Sequence, residues 1–342
     1  MAEIRIEAGS FGAGRSVAAC VGHEVFDVAL RGATPLRWLV NLPGGPVDVL
    51  DGYRDEAELA AQDGVRNGVM APFCNRIADA RYTFDGVAHD LLPGAADRTI
   101  YHGLVRLLPF TLRSAGAHGR GARLTFGCDA LSEGNHPGYP YEVEVEVTYD
   151  VGPGTLEVEI AGRNVGTTAA PFAAGWHPYF RLPGRATIDG LHLQLPADVA
   201  VETDAALVPR AGADAFRPLP ADARWEPIGA SVVDACYAGL VERDAPVRSV
   251  LRDPRTGVRL SVRHDGGLVH VFTGDTLARD RRASLAIEPV EVLTDAFNRP
   301  DCATAIRLEP GERRAFRFGV EVSTPRGVER AASTVADLAA RG

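Results

Sequence analysis

Lysine is absent from this chain: all 36 residues counted as lysine or arginine are arginine. That absence excludes Schiff-base catalysis, lysine-anchored pyridoxal phosphate and the P-loop, each of which needs a primary amine. Cysteine is sparse. Cys20, Cys74, Cys128, Cys236 and Cys302 lie far apart and are odd in number, which matches neither a zinc pattern nor a disulfide framework and reads as reduced, buried thiols. No apolar run approaches membrane-spanning length, and Met1-Ala2-Glu3-Ile4-Arg5 lacks the basic and then hydrophobic layout of a secretory signal. A cytoplasmic protein without membrane partners is therefore expected. The arginines are scattered against a formal net charge of -9, so no nucleic-acid partner is expected either.

What is present reads as strand. Glu142-Val143-Glu144-Val145-Glu146-Val147 alternates strictly, and Leu156-Glu157-Val158-Glu159-Ile160 repeats the pattern after Gly152-Pro153-Gly154. Period two with one acidic face predicts a half-exposed antiparallel hairpin. Alternation into Asp85-Gly86 predicts a second hairpin after Arg81. Further strand-like segments are Gly190–Leu195, Val247–Arg252, Val258–His264, Leu268–Thr273, Leu285–Ile287 and Arg314–Val322, and residues 4 to 50 read as short strands between glycine-rich turns. Glu56–Gln62 is a brief helical candidate, Asp198–Trp225 reads as long connections, and the spacing of Val328, Ala332, Val335 and Leu338 predicts a short C-terminal helix or tail over 326–342. Many short strands and few helices imply an all-β fold, a large antiparallel β-sandwich, with no repeat or linker dividing residues 1–342 into more than one domain.

Five polar positions stand out. In Gly175-Trp176-His177-Pro178-Tyr179-Phe180 the proline restricts the backbone of His177, which holds an imidazole between the aromatic faces of Trp176 and Tyr179. Acid–base chemistry and a packed core histidine both fit that stretch. Arg76, after Asn75, offers either a planar fork for two ligand oxygens or a surface ion pair. His102 precedes Gly103, which lets another backbone or a ligand approach closely; a structural role is equally open. Asp234 sits among small apolar residues, either bound by a partner or capping a turn. Glu288, before Pro289 at the end of an apolar run, is either a base with a raised pKa or the solvated end of a strand.

Taken together, in order and over nearly the whole chain, these segments resemble the aldose 1-epimerase (galactose mutarotase) family. The resemblance is carried by Asn75-Arg76-Ile77, Tyr101-His102-Gly103, Gly138-Tyr139-Pro140, His177-Pro178-Tyr179-Phe180, Glu288-Pro289 and Asp295-Ala296-Phe297-Asn298. It implies the galactose mutarotase-like supersandwich, a monosaccharide substrate, a monomer or homodimer, and neither metal nor organic cofactor. It further implies Glu288 as base, His177 as acid, and His102, Arg76, Asn75, Asp234, Trp176 and Tyr179 around the sugar. Glu291 departs from the family pattern, where a small hydroxyl residue is expected, and either alters the pocket or faces solvent.

The reaction so implied interconverts the α and β anomers of a free hexose such as galactose or glucose. A base removes the proton of the C1 hydroxyl, an acid protonates the ring oxygen, and the ring opens. Three other readings stay open: a hexose 6-phosphate as substrate, a non-catalytic sugar-binding protein, and a glycosidase using Asp234 and Glu288 as paired carboxylates.

Overall fold

The acidic hairpin forms as its alternation predicts. Val143–Gly152 and Thr155–Asn164 pair in one unbroken antiparallel register, with Val143, Val145, Val147, Tyr149 and Val151 buried. This computed structural model describes residues 3–132, 134–219, 223–240 and 247–325, so the helix or tail expected over 326–342 lies outside the described residues. The hairpin belongs to a nine-stranded antiparallel sheet that also contains Gly121–Leu131, Arg259–His264 and Arg313–Ser323.

An eight-stranded sheet faces it. Its strands run in the order Phe216–Pro218, Ala197–Val201, Asp234–Leu240, Leu268–Phe272, Leu285–Val290, Gly175–His177 and Gly68–Met70, with Tyr179–Phe180 continuing alongside Leu285–Val290. The Trp176 ring of this sheet stacks on Phe318 of the other, centroids 5.6 Å apart and planes at 18°. A third, five-stranded sheet over residues 4–48 joins the same core through Phe26, whose ring lies 5.1 Å from Tyr149. With about 49% strand and 9% helix, the architecture is the β-rich one expected. Among the described residues no helix is long and apolar enough to cross a membrane.

Three local expectations are corrected. Residues 198–225 are not simply connections, since they supply the strands Phe216–Pro218 and Arg224–Trp225 and most of Ala197–Val201. Their Ala, Pro and Asp content is poor for strands in isolation, and pairing with neighbours overrides it. Asp234 does not cap a turn but opens the strand Asp234–Leu240. Glu288 is not the end of a strand, because Leu285–Val290 runs on through Pro289 and is buried along its whole length. The flanking ladder pairs Gly175 with Val290 and Tyr179 with Ala286, interrupted where Pro178 and Pro289 have no N–H to give. The helix Glu56–Ala61 forms where expected, its first turn capped by the Asp55 side chain accepting from the Glu58 N–H.

Candidate active site

Strand register sets the centre of the site. Gly175–Val290 and Tyr179–Ala286 share one register, so His177 falls opposite Glu288 on one side, while His270 is paired with Glu288 on the other. One row across the eight-stranded sheet therefore carries His270, Glu288 and His177. Side chains alternate along a strand, so Trp176, one residue from His177, points to the opposite face. There it is wholly buried, stacked on Phe318 and donating Nε1–H to the Asn67 carbonyl at 2.9 Å. Trp176 is thus a core residue, and its expected place beside the sugar is not where the structure puts it.

The His177 segment is pinned by Asn67. The Asn67 N–H donates to the His177 carbonyl at 2.9 Å, and the Tyr179 N–H donates to the Asn67 Oδ1 at 3.0 Å. The His177 ring stacks on Tyr179 at 4.9 Å between centroids and meets the His102 ring edge-on at 4.8 Å. His102 itself has a positive φ of 60°, and its Nδ1 lies 2.9 Å from the Met70 sulfur. Gly103 is needed beside it because a Cβ there would meet the Ala71 carbonyl oxygen at 2.2 Å. The close approach that this glycine permits is thus made by backbone. Arg76 hangs from a loop braced from behind by Asp295, which takes the Ala78 N–H at 2.9 Å and gives its own N–H to the Arg76 carbonyl. The Arg76 guanidinium rests 5.7 Å from the Tyr101 ring centroid.

These residues line a half-open cavity of about 250 Å³, with Asn75, Arg76, His102, His177, Tyr179, Asp234, His270 and Glu288 around it. Arg76 is its one arginine among the described residues. Glu291 does not line the cavity: it is half-buried, bound to the Ala174 N–H at 2.9 Å and 3.0 Å from the Arg314 Nε. Among the described residues no group of three or more His, Cys, Asp or Glu is arranged to hold a metal ion.

The electrostatics of the row are uneven. Glu288 is 1% exposed, neither of its oxygens has a hydrogen-bond partner in the protein, and burial raises its pKa from 4.5 to about 7. His177 Nε2 lies 3.3 Å from Glu288 Oε1. Burial, and then the positive charge of His270, push the His177 imidazole down to about 3. The expected resting imidazolium at His177 is therefore not favoured. The positive charge lies instead on His270, a residue that sequence reading passed over as part of a strand. Its Nε2 is 2.8 Å from Asp234 Oδ1. Burial opposes the charge on His270, but Glu288 and the hydrogen bond to Asp234 outweigh it and hold the pKa well above the usual imidazole range. Asp234 is correspondingly lowered: burial would raise it, and the bond and charge of His270, with Arg76, prevail.

Val269-His270-Val271 carries one available signal, a polar residue between two buried valines on an alternating strand. Nothing in it says which residue lies across the ladder. Asn67 is likewise visible only through its partners.

Residues 22–321 match the family model described as aldose 1-epimerase. The uncharacterized protein YihR of Escherichia coli (strain K12) is 26% identical over 256 residues, covering 74% of this chain and 77% of YihR. Galactose mutarotase of Sus scrofa is 27% identical over 168 residues, 48% of this chain and 47% of that protein. The structure of galactose 1-epimerase from Lactobacillus acidophilus NCFM superposes with a TM-score of 0.76 at 14% identity, covering 95% of this chain and 99% of that one. At that identity the last likeness speaks for the fold.

Proposed function

The chain belongs to the aldose 1-epimerase family, and we propose that it is a cofactor-independent mutarotase, opening and reclosing the ring of a free hexose such as galactose or glucose. The observation that carries this reading is the Glu288–His177 pair, 3.3 Å apart at the floor of a polar cavity. Ring opening takes one proton from O1 and gives one to O5. Two adjacent groups that hold a single proton between them meet that requirement.

In the reactive form Glu288 is a carboxylate and His177 an imidazolium. Glu288 accepts the O1 proton, the C1–O5 bond breaks as the C1 carbonyl forms, and O5 takes the His177 proton. The pair still holds one proton, now on Glu288. Rotation about C1–C2 and reclosure on the other carbonyl face returns it to His177 and yields the other anomer. At rest the proton lies on Glu288, since burial raises the carboxyl and lowers the imidazole. Reaction thus begins with its transfer across the 3.3 Å gap. Asn75, Arg76, His102 and Asp234 hold the other hydroxyls, and Tyr179 backs His177. A phosphorylated substrate would call for several converging arginines, and the cavity wall offers Arg76.

The test is proton NMR in D₂O of freshly dissolved pure anomers, with and without a 6-phosphate. The expected result is accelerated exchange between anomers while C1 and C2 keep their hydrogens, since only O–H protons move. Deuterium at C2 or a ketose product overturns the reading. Bound sugar with no acceleration across the screen assigns the cavity to binding alone.

A further inference from the structure

We propose that His270 is a positioning residue of this site: clamped by Asp234 and facing Glu288 across the ladder, its imidazolium sets how tightly the Glu288–His177 pair holds its proton. Only the kinetic consequences rest on the mutarotase reading; the electrostatic claim concerns the three side chains whatever the substrate.

Geometry carries it. His270 stands directly opposite Glu288 on one neighbouring strand and opposite Cys236 on the other, so it is the side chain between Glu288 and the Asp234 strand. Asp234, two residues from Cys236 and on the same face, reaches back to His270 Nε2 at 2.8 Å. Asp234 is 43% exposed in its side chain while that of His270 is 11% exposed, so the carboxylate meets the cavity and the imidazole sits beneath it. His270 is thus placed to act through its neighbours. The groups that face it are Asp234 and Cys236 from one strand, Glu288 from the next, His177 beyond Glu288 in the same row, and His102 and Arg76 on the cavity wall.

The charges agree with this arrangement. Glu288 and Asp234 support the proton on His270, whereas His177, next to the same carboxylate, is deprived of one partly by His270. His270 also acts on Glu288 in the direction that favours the carboxylate, against the burial that raises it. Without that cation the proton would bind the pair more tightly and be surrendered only at higher pH.

The experiment is an NMR titration of the whole chain, following the imidazole nitrogens of His270 and the side-chain carboxyl carbon of Glu288, in wild type and in His270→Gln. We expect the His270 imidazolium to persist well above the ordinary imidazole range, and the Glu288 midpoint to rise by about 1 to 3 units in the variant. Where activity is measurable, the alkaline limb of kcat/KM should rise by the same amount. A purely structural histidine would move neither midpoint nor limb. A wild-type His270 that titrates near 6.5 overturns the proposal, as does a folded variant whose Glu288 midpoint stays put. Should His270→Gln fail to fold, the wild-type His270 titration alone decides. Absence of mutarotation on every sugar tested would remove the proposed activity and leave these NMR outcomes intact.

Discussion

Two buried carboxylates flank Tyr179, and their surroundings are opposites. Asp51 accepts hydrogen bonds from Arg66 at 2.5 Å, Ser284 at 2.7 Å and Arg279 at 3.4 Å, and its N–H donates to the Tyr179 carbonyl. Glu288 accepts none from the protein, although it is as deeply buried and has a histidine on either side. A carboxylate whose lone pairs are already taken is committed to holding the fold. One buried without protein donors has a raised proton affinity, and can lose the excess by handing a proton to, or taking it from, something that enters. Arg66, 5.3 Å from the Tyr179 ring centroid, marks the boundary between the two regions.

Exchanging each acid for its amide should separate the two roles most sharply. Glu288→Gln should lower the catalysed rate of anomer exchange by about 10²–10⁴, or roughly 3–5 kcal/mol of barrier, with no loss in thermal stability. Polarimetry and thermal unfolding of the same sample check both halves. Asp51→Asn should do the reverse. It leaves Arg66 buried beside an uncharged partner, at about 3 to 5 kcal/mol in urea unfolding, while the folded fraction retains its rate. A stable Asp51→Asn protein, or an unstable Glu288→Gln one, would break the contrast.

The pH dependence of stability sharpens it further. The Glu288 pKa is raised on folding from 4.5 to about 7, so its contribution is fully present below 4.5 and is lost as pH rises through 7. Urea unfolding at a series of pH values should therefore show up to about 3 kcal/mol of stability lost over that window in wild type and absent from Glu288→Gln. An unchanged slope in the variant would place the titrating group elsewhere. On the proposed mechanism the same proton governs activity. Once the pair has lost it, kcat/KM should fall about tenfold per pH unit above 7, and a profile flat to pH 9 would remove the pair as the proton carrier.

The smallest effect is expected at Glu291. Its carboxylate is bound to the Ala174 N–H and Arg314, outside the cavity, so Glu291→Gln should leave the rate within about threefold of wild type. A loss like that of Glu288→Gln would mean that the satisfied acid, too, takes part in the chemistry.

Sequence alone was enough for the elements whose cause is local. The acidic hairpin follows from strict alternation, and the helix at Glu56 follows from its acid-rich first turn. The glycine after His102 marked a close approach in the sequence, and the structure shows that backbone makes it. Motif order also brought His102, His177 and Glu288 to notice, because proline and glycine next to an ionisable group leave a mark in one dimension. What the tertiary structure decided was neighbourhood. That Trp176 turns into the core while His177 and Tyr179 turn out depends on recognising the segment as strand, and its proline obscured this. His270 owes its place beside Glu288 to a ladder between strands joined by a long excursion, and its charge to Glu288 and to Asp234 on a third strand. Register across a sheet is fixed by packing of the whole core, so no local pattern reports it. The proton affinities of His177, His270 and Glu288 depend on that register and on burial, which is why the sequence points to the proposed acid and base but only the fold says where the proton rests.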